Sequence, residues 1–128
     1  MKHPPVNYHD YLKLDQLLDS QKRRSEEFKD PAHDEMLFII VHQVFELWFK
    51  QISFELDSIV EIFSKSPVSD ADLALTNHRL SRVLSILKLF FGQIDTLETM
   101  TPLDFLEFRD YLYPASGFQS FQFLITKY

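Results

Sequence analysis

The chain contains no cysteine. That excludes a disulfide framework, a thiolate metal site and a cysteine nucleophile, and it suits the reducing cytoplasm. Glycine is scarce as well, with two in 128 residues, and no stretch alternates apolar and polar residues over the length of a strand. Both absences point away from sheets and towards an all-α fold. There is no phosphate-binding loop and no nucleophile elbow. No Glu is followed three residues later by His, so the di-iron carboxylate bundle is excluded. Basic residues are in deficit: 13 Lys and Arg against 19 Asp and Glu give a net charge of −6, the wrong sign for a general nucleic-acid binder. No signal peptide opens the chain. The most apolar stretch is broken by Gln43, Glu46, Lys50 and Glu55, so no membrane span is expected. Internal repeats and low-complexity segments are also missing.

What the chain has is rings: 13 Phe, 5 Tyr and one Trp, within 45% hydrophobic residues. That is enough for one domain over residues 1–128, but so many large rings call for a partner subunit or a bulky ligand to cover them.

The stretch from His33 to Ser66 organises the rest. Asp34 is placed to cap a helix, Glu35 adds negative charge to its first turn, and Pro67 closes it. About thirty residues between those signals make roughly 45 Å of helix. Leu37, Val41, Val44, Trp48, Ile52, Leu56, Ile59 and Phe63 keep the spacing of one buried face, widened by Phe38, Phe45, Phe49 and Val60. Gln43, Glu46, Lys50, Ser53, Asp57 and Glu61 form the polar stripe. His42 stands among the apolar positions, and two readings are open. It is either a core histidine with one satisfied nitrogen, the commoner case, or an acid/base or ligand lining a cavity.

Ahead of this helix, Pro4-Pro5 forbids early helix, so Tyr8, Tyr11 and Leu12 belong to an arm that packs on something. Asp15 is placed to cap a short helix, and Lys22-Arg23-Arg24 with Glu26-Glu27 reads as a solvated connector. After it, Ser69 and Asp72 resemble a capping box. A second long helix follows through Leu73, Leu80, Val83 or Leu84, Leu87, Phe90 or Phe91, Ile94 and Leu97, with Gly92 a candidate close crossing and His78 and Arg79 on a solvated face. The short Pro67-Val68 link makes the two long helices antiparallel. Thr101-Pro102 opens a further helix expected to reach Leu112, Pro114–Gly117 breaks the chain, and another helix is expected to begin in Phe118–Tyr128. The fold class is thus an all-α helical bundle: two long antiparallel helices, shorter flanking helices and an N-terminal arm.

From chemistry alone, one constellation stands out. His42 and Phe38 lie on the central helix, Phe105 and Arg109 on the later one. A guanidinium can pair with a carboxylate, an imidazole can accept a proton, and Phe gives a stacking wall, which together suit a small aromatic amino acid. For Arg109 the plainer reading is a snorkelling or salt-bridged side chain.

Three runs then carry a family resemblance: FIIVHQVFELWFKQISFEL (Phe38–Leu56), MTPLDFLEFRDYLYPASGFQSFQF (Met100–Phe123) and the arm YHDYLKLDQLLDSQ (Tyr8–Gln21), with HDEMLF from His33. In order and spacing they resemble tryptophan 2,3-dioxygenase over nearly the whole chain. The resemblance implies a helical, haem b-dependent enzyme, normally a homotetramer, that adds both atoms of O₂ across the indole 2,3-bond of L-tryptophan to give N-formylkynurenine. It implies that His42 is the distal histidine bonding the indole nitrogen and that Phe38 and Phe105 are the rings against the indole. It gives Arg109 the substrate carboxylate and Ser116 a place near the haem and ligand. Tyr8, Tyr11 and Leu12 become the arm that enters a neighbouring subunit's pocket.

The pattern departs at Leu124, where the family has Arg after Phe-Gln-Phe. The family's axial histidine lies beyond the region matched, and none of the five histidines here stands in its context, so no metal ligand is assigned. Three functions stay open. One is a dioxygenase half-site completed by a second chain. Another is a truncated, non-catalytic indole-binding or oligomerisation module, and the third is a haem-binding protein using His42 or His78.

Overall fold

The computed structural model describes residues 2–65, 67–120 and 122–123, and all regular structure among them is helical. Three one-turn helices come first: α1 (Tyr8–Tyr11), α2 (Leu14–Leu17) and α3 (Arg24–Glu27). Two long helices follow, α4 (Glu35–Phe63) and α5 (Asp70–Leu97), then α6 (Pro102–Leu106), α7 (Arg109–Leu112) and a 3-10 turn at Gly117–Gln119. The short turn after α4 folds α5 back along it as an antiparallel neighbour, as the sequence implies. Their seam is aliphatic at its centre: Ile52, Val83 and Ile86 are buried, flanked by Trp48, Leu56 and Phe90. One ion pair crosses it. The Glu55 carboxylate, buried, accepts from Arg82 at 3.0 Å.

The start of α4 corrects the expected cap. Asp34 holds helical backbone angles and its side chain caps nothing. Glu35, fully buried, turns its carboxylate away to α3 instead, accepting from the N–H groups of Arg24 at 2.7 Å and Ser25 at 3.0 Å and from the Ser25 hydroxyl. Ser25 in turn accepts the Ala32 N–H. A buried carboxylate can persist there because several donors satisfy it. The charged side chains of the Lys22–Glu27 connector are solvated as expected, with Arg23 half-buried, while Ser25 between them is a buried anchor.

Other positions differ from the periodic pattern. Val60 and Phe63 are exposed while Ile62 is buried, so the buried stripe drifts near the end of α4. Asp15 sits inside α2, whose N-cap is Lys13 in the left-handed region (φ 53°). A Cβ added at Gly92 would meet nothing within 4 Å, so no helix crosses closely there. The Ser69–Asp72 capping box is present. At Thr101 a second box forms with Asp104, with Pro at the start of α6. The helix expected to run to Leu112 breaks at Glu107–Phe108, because Phe108 leaves helical angles and buries its ring completely. The helix expected within Phe118–Tyr128 falls largely outside the described residues.

Candidate functional site

A row of rings runs along α4 from its N-terminal end. Phe38 lies 4.2 Å from the His42 ring, 5.7 Å from Phe105 and 5.4 Å from Phe108. Beyond His42 the row continues to Phe45, which meets Phe90 of α5 edge-on at 5.2 Å, and to Phe49, which meets Phe90 at 5.5 Å and Phe123 at 5.7 Å. Rings set edge-to-face are favourable but leave space between them, and two clefts open along the row.

The first, about 580 Å³, is lined by His42, Phe45, Phe49, Leu87, Phe90, Ile94, Phe123 and the Ser116–Gly117 and Ser120 region, with Glu46 at its edge. The second, about 600 Å³, is lined by Phe38, Phe105, Arg109, Asp110 and the chain from Leu112 to Gly117. Ser116 and Gly117 belong to both. His42 and Phe38 are in ring contact, so the two clefts adjoin at that pair.

His42 is held in one tautomer. Its Nδ1 lies 2.7 Å from the Phe38 carbonyl oxygen, which can only accept, so Nδ1 carries the hydrogen. In the neutral ring Nε2 is then a lone-pair acceptor, and it has no hydrogen-bond partner among the described residues. One nitrogen is satisfied in the manner of a core histidine, and the residue also lines the first cleft.

Arg109 is exposed and makes no hydrogen bond or ion pair with the described residues. The salt bridge in the plainer reading is absent among the described residues, while its snorkelling alternative fits an exposed side chain that lines the cleft with Phe38 and Phe105. Behind it, the Tyr111 ring stacks on Phe28 at 4.7 Å, and its hydroxyl donates to Asp30 at 2.8 Å. That bond raises the Tyr111 phenol above its ordinary value.

The segment after Ser116 is latched to α4. Ser120 donates to one oxygen of Glu46, and the Gln122 amide donates to the other at 2.8 Å and to the Glu46 carbonyl at 3.0 Å. By its position Glu46 is a solvated polar-stripe residue; the pairing spans more than seventy residues, and no local signal could announce it.

Of the residues singled out from sequence, Phe38, His42, Phe105, Arg109 and Ser116 are brought to the two adjoining clefts. Tyr8, Tyr11 and Leu12 line neither, and Tyr8 and Tyr11 are 74% and 72% exposed, so nothing among the described residues covers them. His78 is exposed on α5 beside Arg82 and lines neither cleft, which removes it as a ligand for a group bound there. Sequence reasoning missed the lining roles of Leu87, Phe90 and Ile94, which periodicity marks only as helix core.

The first cleft has the walls for one face of a flat apolar group such as a porphyrin: Phe45, Phe49, Phe90, Ile94 and the Gly117 turn. Its only ring nitrogen belongs to His42, and no group of three metal-ligating side chains exists among the described residues. The walls fit; an iron anchor is not assigned to this chain. Among the described residues no helix is long and apolar enough to cross a membrane.

Comparison with known proteins points the same way. The family model for tryptophan 2,3-dioxygenase matches residues 2–128. The tryptophan 2,3-dioxygenase of Bdellovibrio bacteriovorus is 63% identical over 127 residues, covering 99% of this chain and 35% of that protein. That of Alteromonas mediterranea is 56% identical over 119 residues, covering 93% and 33%. That of Anopheles gambiae is 56% identical over 120 residues, covering 94% and 31%. The chain spans about a third of the length of the curated relatives it matches.

Proposed function

Because the chain belongs to the tryptophan 2,3-dioxygenase family, we propose that it supplies the distal half of a tryptophan pocket for haem-dependent dioxygenation to N-formylkynurenine. The observation that carries this reading is the His42 tautomer, its ring against Phe38, together with Arg109, unpaired among the described residues, lining the adjoining cleft with Phe38 and Phe105. An indole N–H needs an acceptor, and Nε2 of His42 is one. The indole ring needs apolar faces, which Phe38 and Phe105 give. The carboxylate of the amino acid needs a cation, and Arg109 offers a bidentate one.

Haem b, held against Phe45, Phe49, Phe90 and Gly117, would supply the iron chemistry by which dioxygen adds to the indole. Ser116 lies on the turn shared by the substrate cleft and this apolar cleft, and the Glu46 latch holds that turn against α4. The arm residues Tyr8, Tyr11 and Leu12 close the pocket of a neighbouring copy, which accounts for their exposure here. A second reading, an indole-binding or assembly module without turnover of its own, is favoured by His42 being the only histidine lining the apolar cleft among the described residues.

Calorimetric titration with L-tryptophan tests the pocket. A charge-assisted pair contributes about 1.5–3 kcal/mol and a neutral hydrogen bond about 1 kcal/mol. Arg109→Ala is therefore expected to weaken binding more than His42→Ala. Equal or reversed losses, or no binding by the parent chain, would remove the assignment. Turnover by the purified chain mixed with the remainder of a family relative, haemin and reductant separates the two readings: N-formylkynurenine absorbance supports a half-site, and its absence supports a binding module.

A further inference from the structure

Arg109 sits on a helix too short to hold itself. α7 has four residues, and a single turn of helix is unfavourable in isolation. Its orientation must come from side chains that tie it to the rest of the fold. In front, Phe108 is a buried pivot, locked against Phe38 and Phe105. A pivot fixes a point and leaves rotation about it free.

Rotation is stopped on the other side. Tyr111 follows Arg109 by two residues, so the two project about 200° apart around the turn. The Tyr111 ring lies flat on Phe28, 4.7 Å away with an interplanar angle of 11°, and its hydroxyl donates to Asp30. Asp30 is itself held: its N–H donates to the Ser25 carbonyl at 3.0 Å, and Ser25 is bonded through N–H and hydroxyl to the buried Glu35 at the start of α4. A continuous set of bonds thus leads from the central helix through α3 to the face of α7 opposite Arg109.

We propose that Tyr111, clamped by Phe28 and Asp30, is the positioning residue that keeps the Arg109 guanidinium facing the Phe38–Phe105 cleft and so sets selectivity for a substrate bearing a carboxylate. The proposal rests on the reading of Arg109 as the carboxylate's partner. It assigns Tyr111 no contact with substrate. Its distinctive consequence is that loss of the phenol hydroxyl weakens a ligand with a carboxylate and spares one without.

The test uses the full chain with Tyr111→Phe, which keeps the ring stack and hence the fold. Backbone amide relaxation over Arg109–Leu112 is measured first, without ligand. Order parameters should fall from about 0.85 towards 0.6 in Tyr111→Phe and in Asp30→Ala, and much less in Asp30→Asn, which keeps an acceptor. Affinities for L-tryptophan and for indole are then compared. Tyr111→Phe should lower tryptophan affinity about five- to tenfold and leave indole unchanged, and adding it to Arg109→Ala should cost nothing further. Unchanged order parameters in Tyr111→Phe overturn the proposal whether or not ligand binds. Equal losses for tryptophan and indole overturn it too, since they mark a general structural role. If Arg109→Ala leaves the tryptophan-to-indole ratio unaltered, the carboxylate reading is at fault and the proposal falls with it.

Discussion

The middle of the α4–α5 pair and the N-terminal half of α4 use apolar residues in opposite ways. Around Ile52, aliphatic side chains of α4 and α5 close the seam, and Ile52, Val83 and Ile86 are buried. Around His42, the same helix presents Phe38, Phe45 and Phe49, which are only half-buried and border clefts of about 580 and 600 Å³. Branched aliphatics fill space to crystal-like density, whereas rings meeting edge-on leave concavities between them. One helix thus serves as core at its middle and as binding wall along its N-terminal half. The change occurs within about two turns.

Core substitutions should show the largest difference. Ile52→Ala removes atoms from a closed seam and is expected to cost about 2–5 kcal/mol of unfolding free energy. Phe49→Ala deletes a larger side chain, but from a cleft wall, and should cost less while altering ligand affinity more. Urea denaturation of the two variants decides the matter; a larger loss for Phe49→Ala would erase the distinction between seam and cleft wall.

The seam's one ion pair gives a smaller, asymmetric effect. Glu55 is 4% exposed at its side chain and Arg82 is 50% exposed. Removing the arginine strands a buried carboxylate, with the Gln51 amide at 3.4 Å as its remaining side-chain donor, and should cost about 1–3 kcal/mol. Glu55→Gln leaves only a hydrated guanidinium and should cost less. Thermal melts of Arg82→Ala and Glu55→Gln should differ in that order, and the opposite order would argue against Glu55 being charged in the fold.

At the site end, the break between α5 and α6 depends on a cap. Thr101→Ala is expected to cost about 1 kcal/mol and to disturb the Phe105 wall. Titration of the same region gives the smallest effect. The Thr101 backbone N–H, and then its hydroxyl, hold the Asp104 carboxyl below its ordinary value, and Ser69 does the same for Asp72. A depressed carboxyl adds stability that is present above the unfolded value and lost as pH falls through the folded one. Tyr111 is raised, so its contribution is complete below the ordinary phenol value and disappears as pH climbs through the folded value. Melting temperature should therefore decline below about pH 4 and above about pH 10. The alkaline decline should vanish in part in Tyr111→Phe, and an unchanged alkaline limb would count against the Asp30 bond.

Much of this is legible in the sequence for a physical reason: periodic patterns act locally. The lengths of α4 and α5, the Ser69 and Thr101 caps and the antiparallel turn follow from spacing and capping chemistry within a few residues. The grouping of Phe38, His42, Phe105 and Arg109 comes from chemistry and family resemblance together. Bonds between distant segments leave no such mark. Glu35 is by position a first-turn charge, yet it is buried because α3 folds over it. Glu46 belongs by spacing to a solvated stripe, yet Ser120 and Gln122 seize it. Phe108 fits a continuous helix by spacing, and only the pull of a fully buried ring against Phe38 explains the break. Tyr8 and Tyr11 form a helical turn, but nothing local covers them.

Whether His42 waits as an acceptor for an indole N–H is open to direct observation by long-range proton–nitrogen NMR of its ring, at a pH where the imidazole is neutral. The free chain should show a protonated Nδ1 and a lone-pair Nε2. Adding L-tryptophan should shift Nε2, and 1-methyl-L-tryptophan, which has no N–H to give, should not. A protonated Nε2 in the free chain, or the same shift with both ligands, would contradict that role for His42.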